Sequence, residues 1–133
     1  GKNPELPKDL KIKGFVNCFL AWQEAQKIDL VESEVMVFNK PKGYCGTLDL
    51  IGERDGKLLL IDIKTSRAIY PEHLIQTAAY QAAYPKKIDK RIVVKLSPKY
   101  PASHVETDEF KKDYKAFLGA LEIFNFLREY YSE

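Results

Sequence analysis

Two aspartates and a lysine stand where this chain is otherwise apolar. In Leu58-Leu59-Leu60-Ile61-Asp62-Ile63-Lys64 every residue except Asp62 and Lys64 is apolar, so both faces of the segment read as buried. Charge there is costly unless something compensates it. Leu48-Asp49-Leu50-Ile51 repeats the anomaly with a second carboxylate. Asp55-Gly56 lies between the two segments and is a strong signal for a two-residue hairpin turn. Counting outward from that turn, Arg54 faces Lys57 and Asp49 faces Asp62. Directly opposed residues share a face with Cβ atoms ~4.5–5.5 Å apart. Two carboxylates so placed repel, and a divalent cation would relieve them. Oxygen ligands favour Mg2+ or Mn2+ over zinc. Lys64, two positions beyond Asp62 on the same face, would orient an attacking water or balance charge on a phosphate. A plainer arrangement uses the same residues: Asp49 and Lys64 as an ordinary ion pair, with Asp62 capping a backbone group or sharing a proton.

Glu34 is a candidate third ligand. A two-residue turn at Pro41-Lys42 would put Glu34 opposite Asp49, whereas a bulge at Gly43 would turn it away. The alternative is a solvated strand-edge carboxylate beside Glu32.

The elements that must carry these residues can be read from periodicity. A helix is expected from about Pro7 to Ile28, with Ile12, Phe15, Val16, Phe19, Leu20 and Trp22 forming an apolar stripe. Strands are expected over Glu32–Phe38, Tyr44–Arg54 and Lys57–Lys64. Pro71 suits the first turn of a second helix that ends near Tyr84, before Pro85. A fourth strand spans Arg91–Leu96, Ser97–Ser103 is loop, and a last helix runs from about Asp108 to Tyr131. Phe110, Tyr114, Phe117, Leu118, Leu121 and Phe124 line one face of that helix. The order αβββαβα gives an α/β (α+β) fold, a small mixed sheet of about four strands with helices packed on it.

At 133 residues and 45% hydrophobic content the chain fits one domain, residues 1–133, with a real core. Formal net charge is +2, from 21 basic and 19 acidic residues, which neither requires nor excludes a nucleic-acid partner. Cys18 and Cys45 lack metal-ligand spacing and read as small buried hydrophobes in a reducing compartment. No stretch approaches the ~20 apolar residues of a membrane helix, and no signal-peptide pattern opens the chain. A soluble, intracellular (cytoplasmic) protein is expected. The opening Gly1-Lys2-Asn3-Pro4 reads as a cut end with residues missing upstream.

Asp49, twelve residues and then Asp62-Ile63-Lys64 resembles the PD-(D/E)XK nuclease signature. Gly46-Thr47-Leu48-Asp49, Asp62-Ile63-Lys64-Thr65-Ser66 and Gln76-Thr77-Ala78-Ala79-Tyr80 match, in order, the motifs of its RecB-like branch. That branch adds a Gln-x-x-x-Tyr helix after the catalytic lysine. The set is similar to the pattern of mitochondrial genome maintenance exonucleases and related phage or bacterial exonucleases, from about Trp22 through the last helix. The resemblance implies a restriction-endonuclease-like core. It also implies metal held by Asp49, Asp62 and the Ile63 carbonyl, with Lys64 assisting the water, and Gln76 and Tyr80 lining the site. Gln76 and Tyr80 are four apart, so one helix face presents both. Thr65, Ser66 and Arg67 would donate to a substrate phosphate, or form a plain strand-exit loop. Lys40, Lys42, Arg54, Lys57 and Arg67 would make a basic rim for DNA, or a solvated surface. His73 reads as a surface residue.

Two positions depart from the family pattern. Leu48 stands where the signature's name has Pro, as is usual in this branch. Many RecB-like members carry a metal-binding His on an upstream helix, and no His precedes His73 here.

Three activities are compatible with these residues. The first is a Mg2+- or Mn2+-dependent DNA exonuclease acting on ends or single strands, in DNA repair or recombination, compatible with an attached or partner helicase or repair domain. The second is a structure-specific or sequence-specific endonuclease on the same core. The third is a nucleic-acid-binding or scaffolding module that has lost turnover. The Gln-x-x-x-Tyr helix favours the first, the intact Asp, Asp and Lys oppose the third, and the absent upstream His supports it.

Overall fold

Patterning of the kind just read produces a mixed sheet with helices on both faces. The computed structural model describes residues 8–132. Its elements are α1 (Lys8–Gln26), β1 (Asp29–Asn39), β2 (Tyr44–Arg54), β3 (Lys57–Lys64), α2 (Pro71–Ala83), β4 (Lys90–Lys95), β5 (Ser103–Thr107) and α3 (Phe110–Tyr131). The expected first helical residue, Pro7, and the opening Gly1-Lys2-Asn3-Pro4 lie outside the described residues. The five strands lie in the order β1-β2-β3-β4-β5. All neighbours are antiparallel except β3 and β4, which are parallel and joined through α2. A parallel pair needs such a crossover, and a helix is its usual form.

The sheet therefore has one strand more than expected. Ser103–Thr107 pairs antiparallel with β4, from Lys95↔Ser103 to Arg91↔Thr107. Ser103-His104-Val105-Glu106-Thr107 contains one apolar residue, so no alternation marks it as a strand. Its strand character comes from the open edge of β4.

Asp55 and Gly56 have φ of 53° and 76°, the two left-handed positions of a tight hairpin, and Arg54 pairs with Lys57 as anticipated. The β1–β2 connection is longer than a two-residue turn: Asn39 pairs with Tyr44 across Lys40–Gly43, and Gly43 N–H donates to the Asn39 carbonyl at 2.8 Å. The register is nonetheless the one that sets position 34 across from position 49. The shift considered at Gly43 occurs instead at the other end of β1, between Leu30 and Glu32.

Two apolar clusters cover the two faces of the sheet. Leu50, Leu59, Ile61, Ile92, Val94 and Leu96 pack with Trp22, Phe15, Cys18 and Phe19 of α1. Val37, Leu48, Ile51 and Leu60 pack with Tyr80, Ala83, Tyr84 and Ile88 on the α2 side. The α1 stripe is thus divided: Phe15, Phe19 and Trp22 meet the sheet, whereas Ile12, Val16 and Leu20 are exposed. Helix α3 packs on α2, and Phe124, placed with its inward face by periodicity, is exposed. Cys18 is half-buried and Cys45 exposed, so only the first joins a core. Among the described residues, no helix is long and apolar enough to cross a membrane.

One charged side chain ties α2 and α3 to the sheet. Arg91 of β4 is 0% exposed. Its Nε donates to Thr77 Oγ1 at 3.1 Å, Nη1 to Gln81 Oε1 at 2.7 Å, and Nη2 forms an ion pair with Asp113 of α3. Desolvation lowers the guanidinium pKa and the Asp113 carboxylate opposes that shift.

Candidate functional site

The site grows from an interruption of the hairpin ladder. Pairing of β2 with β3 runs from Arg54↔Lys57 to Leu50↔Ile61 and stops one step short of Asp49 and Asp62. In the regular pattern Ile63 N–H would next donate to the Leu48 carbonyl. It donates instead to Asp49 Oδ2 at 2.7 Å. Side-chain alternation breaks at the same point, because Leu48 and Ile51 face the α2 side while Leu50 faces α1. Strand β1 breaks opposite: Glu34 has φ of 50°, and no pair forms between Val35↔Leu48 and Ser33↔Leu50. The backbone is irregular on both strands beside the acidic pair.

Asp62 is 4% exposed. Its Oδ2 lies 3.2 Å from Lys64 Nζ, an ion-pair distance, yet no donor among the described residues reaches that oxygen in hydrogen-bonding geometry. The Lys64 ammonium thus acts on Asp62 first through its charge and only second as a donor, of poor geometry. Burial is the largest influence on this carboxyl and raises its pKa; Lys64 lowers it and the Asp49 charge raises it again, leaving it at about 6. A buried carboxylate oxygen without a well-placed donor, beside a second carboxylate, fits a divalent cation better than it fits an ion pair alone. The Ile63 carbonyl adds an oxygen of the right kind.

Glu34, Asp49 and Ile63 line one open cleft of ≈ 390 Å3. Glu34 is exposed at its rim. Among the described residues no three His, Cys, Asp or Glu side chains stand close enough to hold a metal together. Glu34 is thus near Asp49 without forming a three-carboxylate cluster.

Helix α2 closes the site from the other side. Gln76 Nε2 donates to the Tyr80 hydroxyl at 2.9 Å. Burial, then the charges of Asp62 and Asp49, raise the Tyr80 pKa, so the phenol stays protonated at neutral pH. Because that oxygen accepts from Gln76, its own proton is free to be donated. The Tyr80 ring lies against Gly46, where a Cβ would come within 2.5 Å of Cε1. The glycine of Gly46-Thr47-Leu48-Asp49 thus makes room for the tyrosine of Gln76-Thr77-Ala78-Ala79-Tyr80. Gly46→Ala should cost about 1–3 kcal/mol by overpacking, read from urea unfolding. Much of the loss should vanish when Tyr80→Ala is added, and strictly additive losses would refute the contact.

His73 proves to be a capping residue. Its Nδ1 accepts the Tyr70 N–H at 3.2 Å at the start of α2. Burial, then the Lys64 ammonium, hold its imidazole below the usual pKa and so keep it neutral for that role. Thr65, Ser66 and Arg67 are exposed beyond Lys64; Ser66 Oγ donates to the Ala68 carbonyl at 2.9 Å. The basic rim is only partly assembled. Arg54 binds Glu106 at 2.7 Å and, with Lys57, marks the far end of the hairpin, roughly five residues or ~16 Å from the carboxylates. Lys40 and Lys42 lie at the other turn, beyond Tyr44, which is itself five residues along β2 from Asp49. Arg67 alone adjoins the β3 exit.

Sequence reasoning did not single out Lys95 and Tyr100, which flank that exit and fell unremarked within the Arg91–Leu96 strand and the Ser97–Ser103 loop. It also missed the Arg91–Asp113 pair, because Arg91 follows Asp89-Lys90 and only heads the apolar run Ile92-Val93-Val94.

No family model matches the sequence, and no curated protein matches it. Among solved structures, the fold is similar to the crystal structure of SSO0001, with a TM-score of 0.54 and 22% identity, covering 87% of this chain and 57% of that one. The chain therefore spans little more than half the length of that structural relative. The likeness is one of fold.

Proposed function

We propose that this chain is a divalent-metal-dependent nuclease that hydrolyses phosphodiester bonds of DNA, acting on ends or single strands as the RecB-like exonucleases its motifs resemble. One observation carries the reading: a buried Asp62 oxygen next to Asp49 whose cationic neighbour among the described residues, Lys64, stands at 3.2 Å outside good hydrogen-bonding geometry. Asp49, Asp62 and the Ile63 carbonyl would hold Mg2+ or Mn2+, which when bound supplies Lewis acidity for the hydrolysis. Lys64 contributes a positive charge beside Asp62, suited to orienting a water and balancing charge on a phosphate. Tyr80, fixed by Gln76 and Gly46, offers its proton to a substrate oxygen. Thr65, Ser66 and Arg67 would meet the phosphates next to the scissile one. The two cysteines, unpaired in the structure, fit an intracellular, reducing setting, and an attached or partner helicase or repair domain is compatible with the reading.

A second reading, a nucleic-acid-binding module without turnover, is favoured by the lack of a third protein ligand beside the two acids among the described residues. End-labelled linear DNA and closed circular DNA, each incubated with the protein in Mg2+, Mn2+ or EDTA, separate the two. Shortening of linear DNA only with a cation is the expected result. Cleaved circles would make the protein an endonuclease, and no cleavage of either DNA would leave the binding module.

A further inference from the structure

We infer that the cleft between α1, the exit of β3 and the Ser97–Pro101 loop binds a stretch of single-stranded nucleic acid, its phosphates held by Lys11, Arg67 and Lys95 and a base stacked on Tyr100. The inference deepens the nuclease reading and rests on it for the choice of a nucleic-acid ligand. The cleft, of ≈ 550 Å3, begins at Thr65, the residue after Lys64. Its floor is tied to Lys64 itself, whose carbonyl accepts the Leu96 N–H at 2.8 Å.

The lining holds three cations and no carboxylate. Among the described residues none of Lys11, Arg67 and Lys95 forms an ion pair, unlike Arg54 and Lys90, which share Glu106. Lys95 Nζ donates to the Arg67 carbonyl at 2.8 Å, which fixes the loop carrying Thr65, Ser66 and Arg67 against β4. Uncompensated positive charge lined by hydroxyls is the chemistry that receives phosphodiesters.

Tyr100 supplies the second half of the argument. It is 73% exposed, a large ring left in water. The loop that presents it is nonetheless held firmly. Ser97 Oγ accepts from Lys99 N at 3.2 Å and from Tyr100 N at 3.1 Å, and Cys18 Sγ donates to the Tyr100 carbonyl at 3.4 Å. Gly14 lets α1 run against Pro98, where a Cβ would come within 2.6 Å of the Pro98 carbonyl oxygen. An exposed aromatic ring on a fixed loop beside a basic groove is a stacking platform, and only an unpaired base has a free face to offer it.

The test uses a fluorescein-labelled oligothymidylate of about 12 nucleotides, its binding followed by anisotropy in EDTA so that no hydrolysis intervenes. Wild type should bind it, and bind a duplex of equal length more weakly. Tyr100→Ala should weaken binding about tenfold while Tyr100→Phe leaves it unchanged. Lys11→Gln and Arg67→Gln should each weaken it and lower the salt-dependence slope by ~0.7. Sodium phosphate at matched ionic strength should not displace the oligonucleotide; displacement would make this a free-anion site and overturn the inference. So would no binding by wild type, equal binding of duplex, or wild-type affinity in both Tyr100→Ala and Lys11→Gln. Failure here with cation-dependent cleavage intact removes the cleft and leaves the nuclease. Tyr100-dependent binding by a protein that never cleaves DNA removes the nuclease and leaves the cleft.

Discussion

Asp62→Asn should reduce cation-dependent DNA hydrolysis by about 10²–10³-fold or more, the scale of losing a principal electrostatic stabiliser, while making the cation-free protein more stable at neutral pH. Both effects have one origin. The Asp62 carboxyl sits at about 6 in the fold against 3.8 for the free side chain. Between those values the folded chain keeps a proton that the unfolded chain releases. Stability of the cation-free protein therefore falls as pH rises through this window and levels off above about 6. The penalty at neutral pH is on the order of 2–3 kcal/mol, and Asn removes both it and its pH slope. Thermal melts of wild type and Asp62→Asn from pH 4 to 7 in EDTA check the slope. Mn2+ should raise Tm in wild type and leave Asp62→Asn unmoved, because only a cation bound to the folded state stabilises it. A wild type indifferent to Mn2+, or a fully active Asp62→Asn, would take Asp62 out of the metal site.

The second large effect is structural. Asp113→Ala should destabilise the fold by about 3–5 kcal/mol, since it leaves the guanidinium of Arg91, buried under α2, without its counter-charge. That is a large share of the ~5–15 kcal/mol available to a domain of this size. Replacing both partners by apolar residues, as in Arg91→Met with Asp113→Leu, should restore much of the loss, because the cost lies in the stranded charge rather than in the missing attraction. Urea midpoints of the three proteins decide it. A near-wild-type Asp113→Ala would mean that water reaches Arg91 and does the same work.

The α+β class and seven of the eight elements follow from periodicity and turn chemistry, since those signals are local. Asp55-Gly56 marks its turn because only that backbone conformation closes so short a hairpin, and the turn in turn sets the β2–β3 register. β5 was not legible. A polar edge strand has no pattern of its own, and it exists because β4 offers unpaired amides. The irregularity at Glu34 and Asp49 was equally hidden, as alternation assumes a straight strand and Asp49 displaces a ladder bond with its own carboxylate. Tyr80 could be placed on the face it shares with Gln76, but its seat over Gly46 joins residues 34 apart on different elements. Arg91 stands at the head of the run Ile92-Val93-Val94 and follows Asp89-Lys90, so it lacks the signal that singled out Asp62 inside an apolar strand. Its partner, Asp113, belongs to a helix whose approach the local sequence does not encode.

The break in β1 has a consequence beyond the acidic pair. β1 is an edge of the sheet and carries Leu30, Val31, Met36 and Phe38 in exposed positions. A straight strand of that composition would present an unbroken row of amides and carbonyls to any second chain, a template for aggregation. The register shift between Leu30 and Glu32 and the left-handed backbone at Glu34 interrupt that row in two places. Two glutamates sit within the interruption, where an incoming strand would have to bury them. The distortion that opens the cleft beside Asp49 also keeps this edge from zipping onto a neighbour.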